Sequence, residues 1–302
     1  MTRSLLAFLV ALVAGGIALP AAAWQQSTVP GYGICLSWPE RRLSWAPASP
    51  LGGPLSTNES LAAFRASFRA WESQGCTDLS FSEQSSVPRS VGYSQGGSNS
   101  NTILFRDARC ADVVSPGDPC LKKGSCAAQH DCWDFDDALI AVTTVTYSSC
   151  TGEIKDADVE FNAASFRFTA VDGPACKKTD ERGCVSMDLQ NTLVHEIGHF
   201  IGLDHSRFAD ASMYPSAAIG ETSKRVLGKD DLDALCAIYP SGRATRTCGT
   251  HRDDAECGTG RSRSNASTVG CSSAGGATDL FGLLFAAAAI IRLARGKEAR
   301  RV

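Results

Sequence analysis

The spacing of apolar positions divides this chain into a small set of elements. Leu61, Phe64, Phe68 and Trp71 recur at helical steps, and Ser56-Thr57-Asn58 ahead of them supply capping side chains. Leu189, Leu193, Ile197 and Phe200 or Ile201 repeat that spacing, with Ser186 as the expected N-cap and Asp188 in the first turn. A third helix is predicted through Leu232, Leu235 and Ile238, capped by Asp230-Asp231. Short strands are predicted at Arg42–Ala46, Leu79–Ser82, Thr102–Phe105 and the Val- and Thr-rich Ile140–Tyr147. Asp158–Asn162 adds another, with Ala157, Val159 and Phe161 alternating along it. Alternation puts Asp156, Asp158 and Glu160 on the opposite face, which is expected to meet solvent. Strands mixed with one helix, then two further helices, describe an α/β (α+β) chain.

Composition adds the ends and the compartment. At 302 residues and 43% hydrophobic the chain can build one core of about 200 residues. A net charge of −3 offers no basic footprint, so nucleic acid is excluded as a partner. Arg3, the apolar Leu5–Leu19 and Ala21-Ala22-Ala23 read as a secretory signal over residues 1–23, with the mature chain starting at Trp24. The protein is therefore expected to be exported, extracellular or attached to the cell surface. Thirteen cysteines fit an oxidising compartment. Without Cys271, twelve remain for up to six bridges, and Cys176–Cys184 and Cys248–Cys257 are close enough for local loops. A thiolate metal site from Cys120, Cys126 and Cys132 is the competing use.

A single folded domain is expected over 24–240. Residues 241–270, rich in Gly, Ser, Thr, Arg and Asn, read as a flexible linker, and 271–302 as a tail. That tail carries Gly270-Cys271, small residues, an apolar Leu280–Ile291 and a basic end from Arg292 to Arg301. It resembles the Cys-containing sorting signals of myxobacterial surface proteins, and any membrane association is expected only through it. The run from Leu280 to Ile291 would span only ~18 Å as a helix, short of a bilayer.

The chemistry is concentrated in His195-Glu196-Ile197-Gly198-His199-Phe200-Ile201-Gly202-Leu203-Asp204-His205, which holds three of the five histidines. His195 and His199, four apart, share one helix face and can hold one Zn²⁺, with Glu196 beside it as a base. Gly202 can end the helix with φ > 0 and return His205 as a third ligand. Three protein ligands leave a fourth position open, as in catalytic rather than structural zinc sites. Chance assembly of this pattern in a chain of this length is on the order of 1 in 10⁵.

HExxHxxGxxH with Met213 shortly after it resembles the metzincin (zincin-like) zinc endopeptidases. Ser206 and Ser212-Met213-Tyr214-Pro215 look like the matrixin branch. The resemblance implies a twisted, mixed and mostly parallel five-stranded sheet with three helices and an active-site cleft. It implies peptide-bond hydrolysis by a zinc-bound water with Glu196 as general base, on a protein or peptide substrate. The substrate is expected to lie extended and antiparallel to an edge strand within Ile140–Tyr147. Met213 would floor the zinc site, and Pro215, Ser216 and Ala217 would wall the pocket for the residue after the cut bond. The family often has an aromatic residue where Ala217 stands. Tyr214 directly follows the methionine and Pro215 comes next, so no tyrosine ligand is assigned.

Upstream only His130 is available for a second zinc, so one zinc per chain is expected. Ca²⁺ at Asp131, Asp134, Asp136 and Asp137 is a further expectation, against a plain solvated acidic loop. No prosegment with the family's Pro-Arg-Cys-Gly pattern is visible ahead of Cys35. A monomeric zinc metalloendopeptidase is the first reading. The alternatives are a catalytically silent adhesion or binding module on the same fold, and a zinc amidase acting on cell-wall peptides.

Overall fold

The computed structural model describes residues 24–178, 181–250, 257 and 264–273. Strands β1 (Thr28–Val29) and β2 (Ile34–Cys35) form a small ribbon, followed by β3 (Arg42–Pro47), helix α1 (Thr57–Glu72), β4 (Ser80–Glu83) and β5 (Thr102–Arg106). Three short helices follow, α2 (Cys110–Val113), α3 (Pro119–Lys123) and α4 (Ala127–His130), then the long strands β6 (Leu139–Ser148) and β7 (Ile154–Asn162). The chain continues through β8 (Phe168–Thr169), β9 (Met187–Asp188), α5 (Leu189–Phe200), β10 (Ser216–Ala217), α6 (Lys229–Ile238) and β11 (Ser264–Ser273).

The expected five-stranded mixed sheet is present as β6-β7-β5-β3-β4, parallel except where β6 meets β7. Two further strands extend it on the β6 side: β11 runs antiparallel to β6, and β10 runs parallel to β11. Ile140–Tyr147 was expected at an edge; here β6 has neighbours on both sides. The three expected helices are α1, α5 and α6, and the short α2–α4 were not anticipated because one-turn helices carry no periodic signal.

α1 starts at a capping box: Ser56 Oγ accepts the Glu59 amide and Glu59 accepts the Ser56 amide. Its apolar stripe buries Phe64, Phe68 and Trp71 in an aromatic layer, with Phe64 stacked at 6.0 Å on Phe161 and Phe68 at 4.8 Å on Trp45. Trp71 Nε1 donates to the Val194 carbonyl at 2.9 Å, tying α1 to α5. The last carbonyls of α5, which a helix cannot satisfy internally, are taken by Trp38 Nε1 on Phe200 and the Tyr239 hydroxyl on Ile201, both at 2.7 Å.

All twelve cysteines before Cys271 pair in six disulfides. Cys176–Cys184 is local, as expected. Cys248 and Cys257 do not join each other; they reach back to Cys35 and Cys150. These two long-range bridges fasten parts of the segment expected as a free linker to the domain. Cys120–Cys126 and Cys110–Cys132 consume the thiols considered for a metal site.

The face of β7 that was expected to meet solvent is covered. Asp156, Asp158 and Glu160 are buried, because the loop before β5 and the disulfide-rich segment cover that side of the sheet. Asp158 accepts amides from Gly92 and Thr102, and Glu160 pairs with the fully buried Arg106 at 2.6 Å. Burial raises all three carboxyls, Asp156 to about 6. An acid whose folded pKa lies above its unfolded value of about 3.9 holds its proton more tightly when folded. Its contribution is therefore lost as pH rises from about 4 to about 6, and is constant above that. Asp156→Asn should remove part of that fall, so the variant gains on the parent between pH 4 and 7 in urea unfolding. A difference that does not change with pH would contradict this.

The acidic loop does not gather into a cation site. Asp131 is shared by Arg89 and Arg106, Asp134 accepts the Cys126 amide, Asp136 the Ala138 amide, and Asp137 faces Arg109. Their carboxylates are spent on separate protein partners, and none belongs to a three-ligand cluster among the described residues.

Candidate metal centre

α5 begins two residues later than the expected cap: Asp188, not Ser186, is the N-cap and accepts the Asn191 amide at 2.7 Å. Ser186 is unsuited because Met187–Asp188 is still extended in β9. The helix is buried almost all round, so its polar side chains at 195, 196 and 199 are committed to the interior. Gly202 has φ +90°, and a Cβ there would collide with the Leu36 carbonyl. The chain can therefore turn tightly at this point only with glycine, and the turn carries Leu203 and His205 back beneath the helix.

The ring nitrogens of His195, His199 and His205 that could bind a metal lie within 4.8 Å of one another. His195 Nδ1 faces the Ser212 carbonyl at 2.7 Å, and His199 Nδ1 faces the Leu203 carbonyl at 2.9 Å. A carbonyl is only an acceptor, so each Nδ1 carries the proton and each Nε2 presents a lone pair. Those two Nε2 atoms stand 3.1 Å apart. Two bare lone pairs at that distance repel in a buried site unless a cation lies between them. His205 Nε2 is also buried and makes no hydrogen bond among the described residues. Burial, then the neighbouring imidazoles, holds His195 and His199 well below the usual histidine range, and burial lowers His205. Three neutral imidazoles converging on one point fit a zinc ion, and the carbonyls behind them are the outer contacts that fix a ligand's orientation. The other three-ligand cluster among the described residues, Asp118, Cys120 and His130, includes a disulfide sulfur and is no such set.

Glu196 is fully buried beside the histidines. Burial raises its carboxyl to about 8; the Thr143 hydroxyl on Oε2 at 2.7 Å and the Cys271 amide on Oε1 at 3.3 Å pull the other way. Thr143, on β6, was not anticipated, because a threonine in a Thr-rich strand carries no distinguishing mark in sequence.

Met213 packs beneath α5 against Gly198, where a Cβ would strike its sulfur. The glycine inside the histidine motif is thus a packing requirement. The Met213 turn is held by Asp231, in the first turn of α6, whose carboxylate accepts the amides of Ser212 (2.6 Å), Met213 (3.0 Å) and Gly228 (2.8 Å). Sequence patterning marks Asp230-Asp231 as caps, yet Gly228 is the N-cap and Asp231 serves both the helix and the turn. Asp231→Ala would strand three amides and should cost at least ~3 kcal/mol. It should also weaken zinc retention, since the Ser212 carbonyl orients His195. A change below ~0.5 kcal/mol in urea unfolding would contradict the assignment.

Pro215 follows the turn, and Ser216–Ala217 forms β10, with Ala217 buried. Tyr214 lies under the Lys224 ammonium, 6.0 Å from the ring centre.

Residues 37–240 match the sequence profile of the matrixins. The chain is 31% identical over 120 residues to the Arabidopsis thaliana protein named metalloendoproteinase 4-MMP, covering 39% of this chain and 31% of that protein. It is 51% identical over 45 residues to human neutrophil collagenase (15% and 10%), and 44% over 54 residues to Glycine max metalloendoproteinase 1 (18% and 17%). The matches thus span about a third or less of the length of these relatives.

Proposed function

The chain belongs to the matrixin family, and from that premise we propose that it is an exported zinc endopeptidase. The observation that carries the reading is the convergence of three neutral imidazoles, those of the buried His195 and His199 and the part-buried His205, next to one buried carboxylate. His195, His199 and His205 would hold the metal through Nε2, with the backbone carbonyls of Ser212 and Leu203 fixing two of the rings. Zinc bound there supplies a Lewis acid that polarises a peptide carbonyl and acidifies water. Glu196 takes the proton from the attacking water and passes it to the leaving amine. Thr143 holds the carboxylate against β6. Met213 supports the helix from below, and Pro215, Ser216 and Ala217 wall the pocket after the cut bond.

Export is supported by six disulfides and by the secretory pattern of residues 1–23, which lie outside the described residues together with 274–302. The Trp24 amide nitrogen lies 3.0 Å from Asp230 Oδ1, so removal of the signal after Ala23 would turn this contact into an ion pair. Among the described residues no helix is long and apolar enough to cross a membrane. The substrates are proteins or peptides, and the enzyme acts as a monomer.

The test is incubation of the purified protein with a mixed peptide library, with and without a zinc chelator. Internal cuts that vanish with the chelator and return with zinc are expected. Intact peptides in every arm would overturn the reading.

A further inference from the structure

The strand β11 passes the buried Glu196 as extended main chain between β6 and β10. Residues 264–271 pair antiparallel with β6, placing Cys271 opposite Ala141, Gly270 opposite Val142 and Val269 opposite Thr143. The register then shifts between Cys271 and Ser272, and the next two residues pair parallel with β10, Ser272 with Ser216 and Ser273 with Ala217. One continuous strand thus runs along β6 as far as Ser272, opposite Leu139, and at Ser272 and Ser273 it also lies beside the β10 wall. Addition of a strand to an open sheet edge is a general mode of peptide recognition, in which the main chain supplies the hydrogen bonds.

The crossing point falls on a particular bond. A carboxylate that returns a proton to a leaving amine must stand within hydrogen-bond reach of that nitrogen. The Cys271 amide nitrogen donates to Glu196 Oε1 at 3.3 Å. The Cys271 side chain is fully buried in the core cluster that also contains Ala217, Leu193 and Val194, as a pocketed side chain just after a scissile bond would be.

We propose that the segment Ser264–Ser273 is the enzyme's own intramolecular substrate, aligned for hydrolysis of the Gly270–Cys271 bond. The water oxygen adds to the Gly270 carbonyl carbon and the C–N bond breaks. Glu196 moves the water's proton to the Cys271 nitrogen. Gly270 becomes a new carboxylate terminus and Cys271 a new amino terminus, with no change of oxidation state. The cut separates the disulfide-fastened domain from the apolar, basic-ended remainder of the chain, and it withdraws residues 272–273 from the β10 wall. The inference rests on the endopeptidase reading above, and it names that site's first substrate.

The experiment uses the full chain and its Glu196→Gln variant, both prepared metal-free. Hydrogen exchange on the metal-free variant reads the docking without any activity: the amides of 264–273 should exchange at least ~10²-fold slower than unstructured chain. Zinc is then added to both proteins, and intact mass and a reference peptide are followed together. The parent should yield one product ending in Gly270 and one peptide beginning with Cys271. The rate should be first order and unchanged over a hundred-fold dilution, and at least ~10²-fold lower in Glu196→Gln. Fast exchange across 264–273, cleavage at another bond, or a rate proportional to concentration overturns the proposal. So does a tail that stays intact while the reference peptide is cut, which leaves the endopeptidase standing and makes the strand a plug. Failure on both tail and peptide overturns the endopeptidase reading, and this proposal with it.

Discussion

Glu196→Ala should retain its zinc and lose at least ~10²–10⁴-fold in kcat/KM on a peptide substrate, equivalent to about 3–5 kcal/mol of transition-state stabilisation. The separation of the two effects follows from the geometry. Glu196 bonds to Thr143 and the Cys271 amide and contributes no atom to the imidazole cluster. Both ring-orienting contacts, from the Ser212 and Leu203 carbonyls, survive its removal. The variant should therefore be folded, metal-loaded and slow. Steady-state kinetics beside elemental analysis checks this, and near-parental kcat/KM would remove Glu196 from its role as base.

His199→Ala should lose the metal itself. Removing an outer contact of a zinc ligand costs about 10–100-fold in affinity, and removing one of three ligands should cost more, at least ~10²-fold. His199 completes a near-equilateral set of rings, its centroid 4.8 Å from each of the other two, which are 5.2 Å apart. Zinc content after gel filtration should fall from about one per chain towards zero, and added zinc should no longer raise the unfolding temperature. Retention of stoichiometric zinc would show that the ion binds elsewhere.

The histidine motif and the long periodic elements were legible in sequence because each rests on local spacing. His195 and His199 share a face by helical pitch, and the return of His205 needs only Gly202 at positive φ. The stripe of α1 and the three main helices follow from the same arithmetic. What escaped was set by long-range contact. The burial of Asp156, Asp158 and Glu160 depends on a loop folding over the sheet and on Arg106 arriving from β5. The partners of Cys248 and Cys257 lie 213 and 107 residues away, so proximity in sequence pointed to the wrong pairing. Thr143 became part of the site because β6 lies under α5, and its hydroxyl finds Glu196 only in the folded chain. Residues 264–270 read as linker by composition and 271–273 as the start of the tail, yet their backbone completes the sheet. Main-chain pairing asks little of side chains, which leaves composition a poor guide to such a strand.

X-ray absorption at the zinc edge, on purified protein brought to one zinc per chain, tests the account most directly. The predicted spectrum has three imidazole nitrogens at ~2.0–2.1 Å and a remaining light-atom position from solvent. Absence of bound zinc, fewer than three imidazoles, or a sulfur at ~2.3 Å closing the fourth position would contradict an open three-histidine centre.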